Sequence, residues 1–136
     1  MLLLYISGKK VLVSHGGLAR MPENLSLVAT AELIYGTGVY EDALNVDMSF
    51  AKHAAANEYQ IHGHRNYEGV PAEVNEHCFN LDGAVEMGGQ LRALELSEDG
   101  FVTKMISSSN CYEYQKLKLK RAWKIRSLAS RRLACY

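Results

Sequence analysis

Residues 39–59 read VYEDALNVDMSFAKHAAANEY, and the fold class turns on this stretch. Tyr40, Leu44, Met48, Ala51 and Ala55 recur at steps of three and four, while Glu41, Asp42, Asp47 and Lys52 fall elsewhere on a helical wheel. Neither Gly nor Pro interrupts the interior. The spacing predicts a long amphipathic helix over Val39 to Tyr59. Leu44 and Met48 then centre the buried stripe, and Asp47 is expected on the exposed side.

Upstream of that helix the pattern is that of a hairpin. Leu2 to Ile6 and Val11 to Ser14 flank Ser7-Gly8-Lys9-Lys10, a short turn containing glycine. His15-Gly16-Gly17 breaks the pattern and reads as a loop. Pro22 to Tyr35 is open to two readings. Proline near its start and Gly36 just past its end suit a helix, whereas Leu25, Leu27, Ala29, Ala31 and Leu33 alternate as in a strand.

Downstream, strands and turns take over. Tyr67-Glu68-Gly69, Asp82-Gly83 and Ser97-Glu98-Asp99-Gly100 are turn signals. Between them lie candidate strands over Tyr59 to Arg65, Val74 to Leu81, Ala84 to Met87, Leu91 to Leu96 and Phe101 to Ile106. An N-terminal hairpin, a long amphipathic helix, an antiparallel β-meander and a closing helix or strand amount to an α+β fold. At 136 residues the chain fits a single domain, 1–136, long enough to bury a core.

Residues 110–136 form a basic C-terminal segment of that domain. Its neutral total charge hides an asymmetry: residues 1–115 hold 7 basic and 15 acidic side chains, a net of −8, and the remainder carries +8. Asn110 and Glu113 read as a capping box for a helix, and alternation from Lys116 to Arg126 allows a strand. Lys116, Lys120, Arg121, Trp123, Lys124, Arg131 and Arg132 are candidates for contacting nucleic acid, with cations on phosphates and Trp123 or Tyr112 stacking on a base. The alternatives are a solvated face balancing the acidic body and a face pairing with a second subunit or another protein. A membrane contact is disfavoured by the modest apolar face.

The opening apolar run, Met1 to Ile6, is too short for a signal peptide or a membrane span, and the expectation is a cytoplasmic protein. Cys78, Cys111 and Cys135 form no C-x-x-C pair, so reduced thiols are expected, with Cys78 and Cys111 packed inside. Gly36-Thr37-Gly38 lacks the Gly-Lys-Ser/Thr of a phosphate loop, and no Gly-x-Ser-x-Gly elbow occurs.

The most suggestive short element is His62-Gly63-His64. Two residues apart in a strand means one face. With a turn about Gly69–Val70, antiparallel pairing sets His62 opposite His77 or Cys78, a grouping suited to a divalent metal such as zinc or iron. His62-x-His64-x-x-x-Glu68 resembles part of the first metal-binding motif of the cupins. That resemblance covers seven residues and implies a metal held by His62, His64 and Glu68. Joined to the pairing above, it makes the competing reading a metal-dependent enzyme centred on His62, His64 and His77, with Cys78 as a further ligand. The family's flanking glycines and second motif are missing, and hydrogen-bonded strand histidines are the alternative. Weighing these, the leading expectation is a small non-catalytic binding or accessory protein without a cofactor, self-associating through its sheet or its C-terminal helix.

Overall fold

The structure is a computed structural model and describes residues 1–65, 71–85 and 89–107. The expectations for the basic segment from Asn110 onward, including Trp123, and for Glu68 lie outside these residues. The chain divides into two compact units, Met1–Gly83 with Arg92–Met105, and Ala84–Leu91 with Ile106–Tyr136. The sheets, helices and site described below belong to the first, apart from the outer ends of the last two strands. Of the second, the one backbone hydrogen bond to note runs from Gly89 N to Ala84 O at 2.9 Å.

The fold is a mixed α+β arrangement, as the order of patterns implied. β1 (Leu2–Ile6) and β2 (Lys9–Val13) form the N-terminal hairpin, with Leu2 opposite Val13 and Ile6 opposite Lys9. Ser7 and Gly8 take φ of 49° and 77°. Two successive left-handed residues form the turn whose twist matches a two-residue hairpin. The ambiguous stretch that follows is helical in part. A 3-10 turn spans Leu25–Leu27, capped by the Asn24 side chain on Ser26 N, and α1 spans Thr30–Tyr35 with Gly36 closing it at φ 82°.

A second 3-10 turn, Tyr40–Asp42, leads into α2 (Ala43–His53). The helix therefore exists, but it is shorter than the 39–59 expected, and it presents another face. Ala43, Val46, Asp47 and Phe50 are buried, whereas Leu44 is 49 % and Met48 60 % exposed. Both stripes repeat at helical spacing. The one that wins places Phe50 in the core and gives Asp47 buried partners, a gain that hydrophobic periodicity alone does not register. The C-terminal end is set by Glu58, whose backbone N–H donates to Ala55 O and whose carboxylate accepts from Ala55 N and from Lys10 Nζ. These bonds turn the Ala-rich stretch into β3 (Glu58–His62).

The main sheet also departs from the expected meander. β4 (Glu73–Asn75) and β5 (Cys78–Asn80) complete a five-stranded sheet in the order β1-β2-β3-β5-β4. β3 runs parallel to both β2 and β5. Ala84 and Val85 belong to no strand. Period-two alternation is the same for either strand direction, so the pattern could not fix it. What sets direction is the long crossover from β2 to β3 carrying α1 and α2, since parallel neighbours need such a connection. β6 (Gln90–Ser97) and β7 (Gly100–Ser107) form a separate two-stranded sheet around the expected turn.

Both faces of the five-stranded sheet are covered. Val11, Ile61 and Phe79 face Leu94, Leu96 and Phe101 of the β6–β7 hairpin. Leu12 and Cys78 face Leu18 and Phe50 on the helical side. No helix among the described residues is long and apolar enough to cross a membrane.

Candidate functional site

Parallel strands align their C-terminal ends, and in sheets of this kind loops leaving that edge are the usual place for a ligand. Here β2 ends into Ser14-His15-Gly16-Gly17 and β3 into Gly63-His64-Arg65. The two exits are joined directly, Gly63 N donating to His15 O at 2.9 Å.

A third loop, Tyr35–Gly38 after α1, crosses the first at backbone contact. A Cβ on Gly16 would lie 2.3 Å from the Tyr35 carbonyl, and one on Gly36 2.1 Å from Gly16 O. Only glycine fits either place. Thr37 N donates to Gly17 O at 3.0 Å, and Ala19 N donates to Thr37 Oγ1 at 3.3 Å.

Four rings meet where these loops emerge. The imidazoles of His15 and His64 stack with centroids 4.6 Å apart. Tyr40 stands edge-on to His64 at 5.7 Å, and Tyr35 is tilted against it at 6.0 Å. These are the separations and orientations that ring quadrupoles favour. His64 holds a φ of 63°, unusual for a residue with a Cβ and found where surrounding structure imposes it. Tyr35 and Tyr40 are 59 % and 43 % exposed, so the cluster is a surface feature rather than core.

The side chain after His64 turns inward. Arg65 is 1 % exposed, and its guanidinium donates to the carbonyls of the crossing loop: Nε and Nη2 to Tyr35 O at 3.1 and 3.0 Å, Nη2 to Thr37 O at 2.6 Å and to Gly38 O at 3.4 Å. Burial draws the Arg65 pKa below its ordinary value, opposed by the charges of Asp42, Asp47 and Tyr40. The backbone of Arg65 is held in turn, its carbonyl accepting from Asn80 Nδ2 at 2.8 Å.

Beneath the rim, the helical side of the sheet carries a buried polar network. Asp47 Oδ1 accepts from Gln60 Nε2 at 3.0 Å and lies 2.9 Å from His62 Nε2. A carboxylate oxygen accepts only, so that imidazole nitrogen carries a proton. Gln60 Oε1 accepts from Leu18 N, while Asp47 O accepts from Asn75 Nδ2 and the Cys78 thiol. Burial pushes the Cys78 thiol up to about 12, helped by the nearby Asp47 charge and opposed by hydrogen bonds from Gln60 and Asn75. It is a packed thiol, the reading its composition favoured, rather than a thiolate ligand.

The metal reading relied on a register that does not form. β3 pairs with β5 in parallel, Gln60 opposite Cys78 and His62 opposite Asn80, and β4 is not its neighbour. The three histidines have separate partners: His62 on Asp47, His64 on His15, and His77 Nδ1 on Glu58 O at 2.8 Å with its ring against Tyr59. Among the described residues no group of three His, Cys, Asp or Glu side chains gathers at metal-binding distance. The cupin-like spacing thus finds no ligand set there, Glu68 lying outside.

Of the residues expected to hold a metal, His64 lies at this rim, beside His15, Tyr35, Tyr40 and Arg65. Their sequence signal was slight: His15-Gly16-Gly17 reads locally as an ordinary loop, and Tyr35 as the end of the ambiguous stretch before Gly36. Tyr40 reads as the start of the long helix's buried stripe, where the structure instead leaves it exposed in a 3-10 turn. Comparison with protein-family models, characterised proteins and solved structures finds no match, so the reading of this site rests on its own geometry.

Proposed function

We propose that this chain is a small binding protein whose ligand presents a planar aromatic or heteroaromatic ring at the rim formed by the ends of β2 and β3. The observation that carries this is the convergence of four rings, from three separate segments, at the exposed rim around His64. A flat ligand extends such a stack, and base-on-aromatic stacking contributes about 1–3 kcal/mol per ring. The groups best equipped for acid–base or nucleophilic work, His62, Asp47 and Cys78, are packed inside and hydrogen-bonded to one another. Binding without catalysis is therefore the reading they support.

Titration with adenosine and with uridine, using ribose as the ring-free control, tests the proposal. Nucleosides should shift the NMR signals of His15, His64, Tyr35 and Tyr40, ribose should not, and His64→Ala should weaken the nucleoside response about tenfold or more. Equal responses to adenosine and ribose would sink it. An oligonucleotide binding far more tightly than a nucleoside, in a salt-dependent way, would favour the nucleic-acid reading of the basic residues 116–132.

A second reading, self-association through the sheet, is favoured by β1. It is one of the two edge strands, and its Leu2 and Tyr5 are exposed. Light scattering should then show a dimer that Tyr5→Lys converts to a monomer. A wild-type monomer at high concentration would rule that out.

A further inference from the structure

Arg65 makes an unusual choice of partners. Asp42 and Asp47 lie near enough for their charges to act on its guanidinium. A charged pair with either would be the stronger kind of hydrogen bond. Instead, every hydrogen bond the Arg65 side chain makes among the described residues goes to a main-chain carbonyl between Tyr35 and Gly38. Nη1 is buried and has no hydrogen-bond partner among the described residues. An orphaned buried donor is costly, and natural structures keep few of them. A side chain selected for stability alone would not be expected to leave one.

The arrangement has a geometric product. His64 and Arg65 are adjacent, so one short turn sends a ring outward and a clamp inward. Asn80 of β5 anchors that turn through Arg65 O, and Arg65 in turn fixes the backbone that carries Tyr35 and leads to Tyr40. The crossing loop cannot lean on side chains at its closest point, because Gly16 and Gly36 leave room only for backbone. Its place is therefore set by hydrogen bonds, and Arg65 supplies three carbonyl contacts at once.

We infer that Arg65 is the positioning residue of the ring site: it holds the Tyr35–Gly38 backbone so that Tyr35 and Tyr40 stand against His64 in the geometry that receives a flat ligand. This rests on the binding reading above for its ligand, though not for its effect on the loop. A planar fork with several fixed donors suits the task, and lysine, a point donor on a flexible stem, does not reproduce it.

The test compares Arg65→Ala and Arg65→Lys with the wild-type chain by three measurements. These are ring-current shifts of the His15 and His64 imidazole protons, amide exchange at Gly36, Thr37 and Gly38, and affinity for adenosine. Loss of the ring-current shifts, faster exchange confined to 36–38 and about tenfold weaker adenosine binding are expected in both variants, with guanidinium ion at millimolar concentration restoring Arg65→Ala alone. A purely structural role would spread faster exchange through the sheet and would leave no site for guanidinium rescue. Should Arg65→Ala fail to fold, Arg65→Lys decides by the same measurements. Unchanged ring shifts and adenosine affinity in a folded variant overturn the inference. If the wild-type chain ignores adenosine, the binding reading fails, and the ring shifts and exchange rates still judge the role of Arg65.

Discussion

The two faces of the five-stranded sheet are built from the same strands and hold together by different means. Toward the β6–β7 hairpin, Val11, Ile61 and Phe79 meet Leu94, Leu96 and Phe101, with Phe101 4.9 Å from Phe79 and 4.5 Å from Tyr59 between ring centroids. Toward α2, the alternate positions of β3 and β5 are Gln60, His62, Cys78 and Asn80, gathered around Asp47 and Arg65. The first face needs only shape and area. The second needs each donor to find its acceptor, because a buried polar group left alone costs more than its hydrogen bond returns. That is also the face from which Asn80 and Arg65 hold the ring-bearing loops. Apolar packing thus anchors the sheet from one side while a polar network positions the site from the other.

The contrast breaks most sharply at its two centres. Phe79→Ala should destabilise by about 3–5 kcal/mol through lost burial and the cavity left, measured by chemical denaturation. The rings at the far rim should keep their NMR signature in the folded fraction. Met48→Ala, on the exposed side of α2, should cost under about 0.5 kcal/mol. Similar losses at the two positions would mean the buried face of α2 is misassigned.

On the polar face, Asp47→Ala removes the oxygen that Gln60 Nε2 and His62 Nε2 share, leaving the first only its long contact to Cys78 Sγ, and should cost about 3 kcal/mol. His62→Leu added to Asp47→Leu should cost clearly less than the two single changes summed, because each single change strands the other member of the pair, whereas in the double change only the Gln60 amide has lost a partner. Strict additivity would show that the network is a set of independent contacts.

A small effect is also expected at the sheet's other end, where Lys10 Nζ sits 2.9 Å from Glu58. Burial works against ionising Glu58, but the hydrogen bonds from Lys10 and the Ala55 amide, with the charges of Lys10 and His77, outweigh it and hold its pKa below the ordinary value of 4.5. A carboxylate depressed in the folded state binds its proton more readily when unfolded. Its contribution is therefore complete above the unfolded pKa and is lost as pH falls through the folded one. For a partly exposed pair this amounts to under about 1 kcal/mol. Glu58→Gln should therefore lower stability at neutral pH by that much, leave it unchanged below the folded pKa, and so flatten the acid limb of the stability curve.

How much of this was written in the sequence follows the range of each interaction. The β1–β2 and β6–β7 hairpins were legible because their turns are local: Ser7-Gly8 and Ser97–Gly100 hold the geometry within a few residues. The position of β3 was legible for the same reason, whereas the run Val74 to Leu81, read as one strand, is two antiparallel strands, β4 and β5, broken at Glu76–His77. Strand direction was not legible, since alternation carries no arrow and the antiparallel pairing of His62 with His77 was as consistent with it as the parallel pairing with Asn80 that forms. The helix at α2 was legible as a helix, yet its buried face was not. Leu44 and Met48 make a plausible apolar stripe, and Asp47 has no reason to be inside until Gln60 and His62 are there to meet it. The ring site lies furthest from the sequence. His15, Tyr35, Tyr40 and His64 come from segments that share no local signal, and two glycines that read as loop punctuation are what let their backbones touch. Local chemistry set the turns and the kinds of element. The tertiary structure alone decided which faces turn inward and which residues share the rim, because those outcomes depend on partners many residues away whose hydrogen bonds and packing exist only once the sheet has formed.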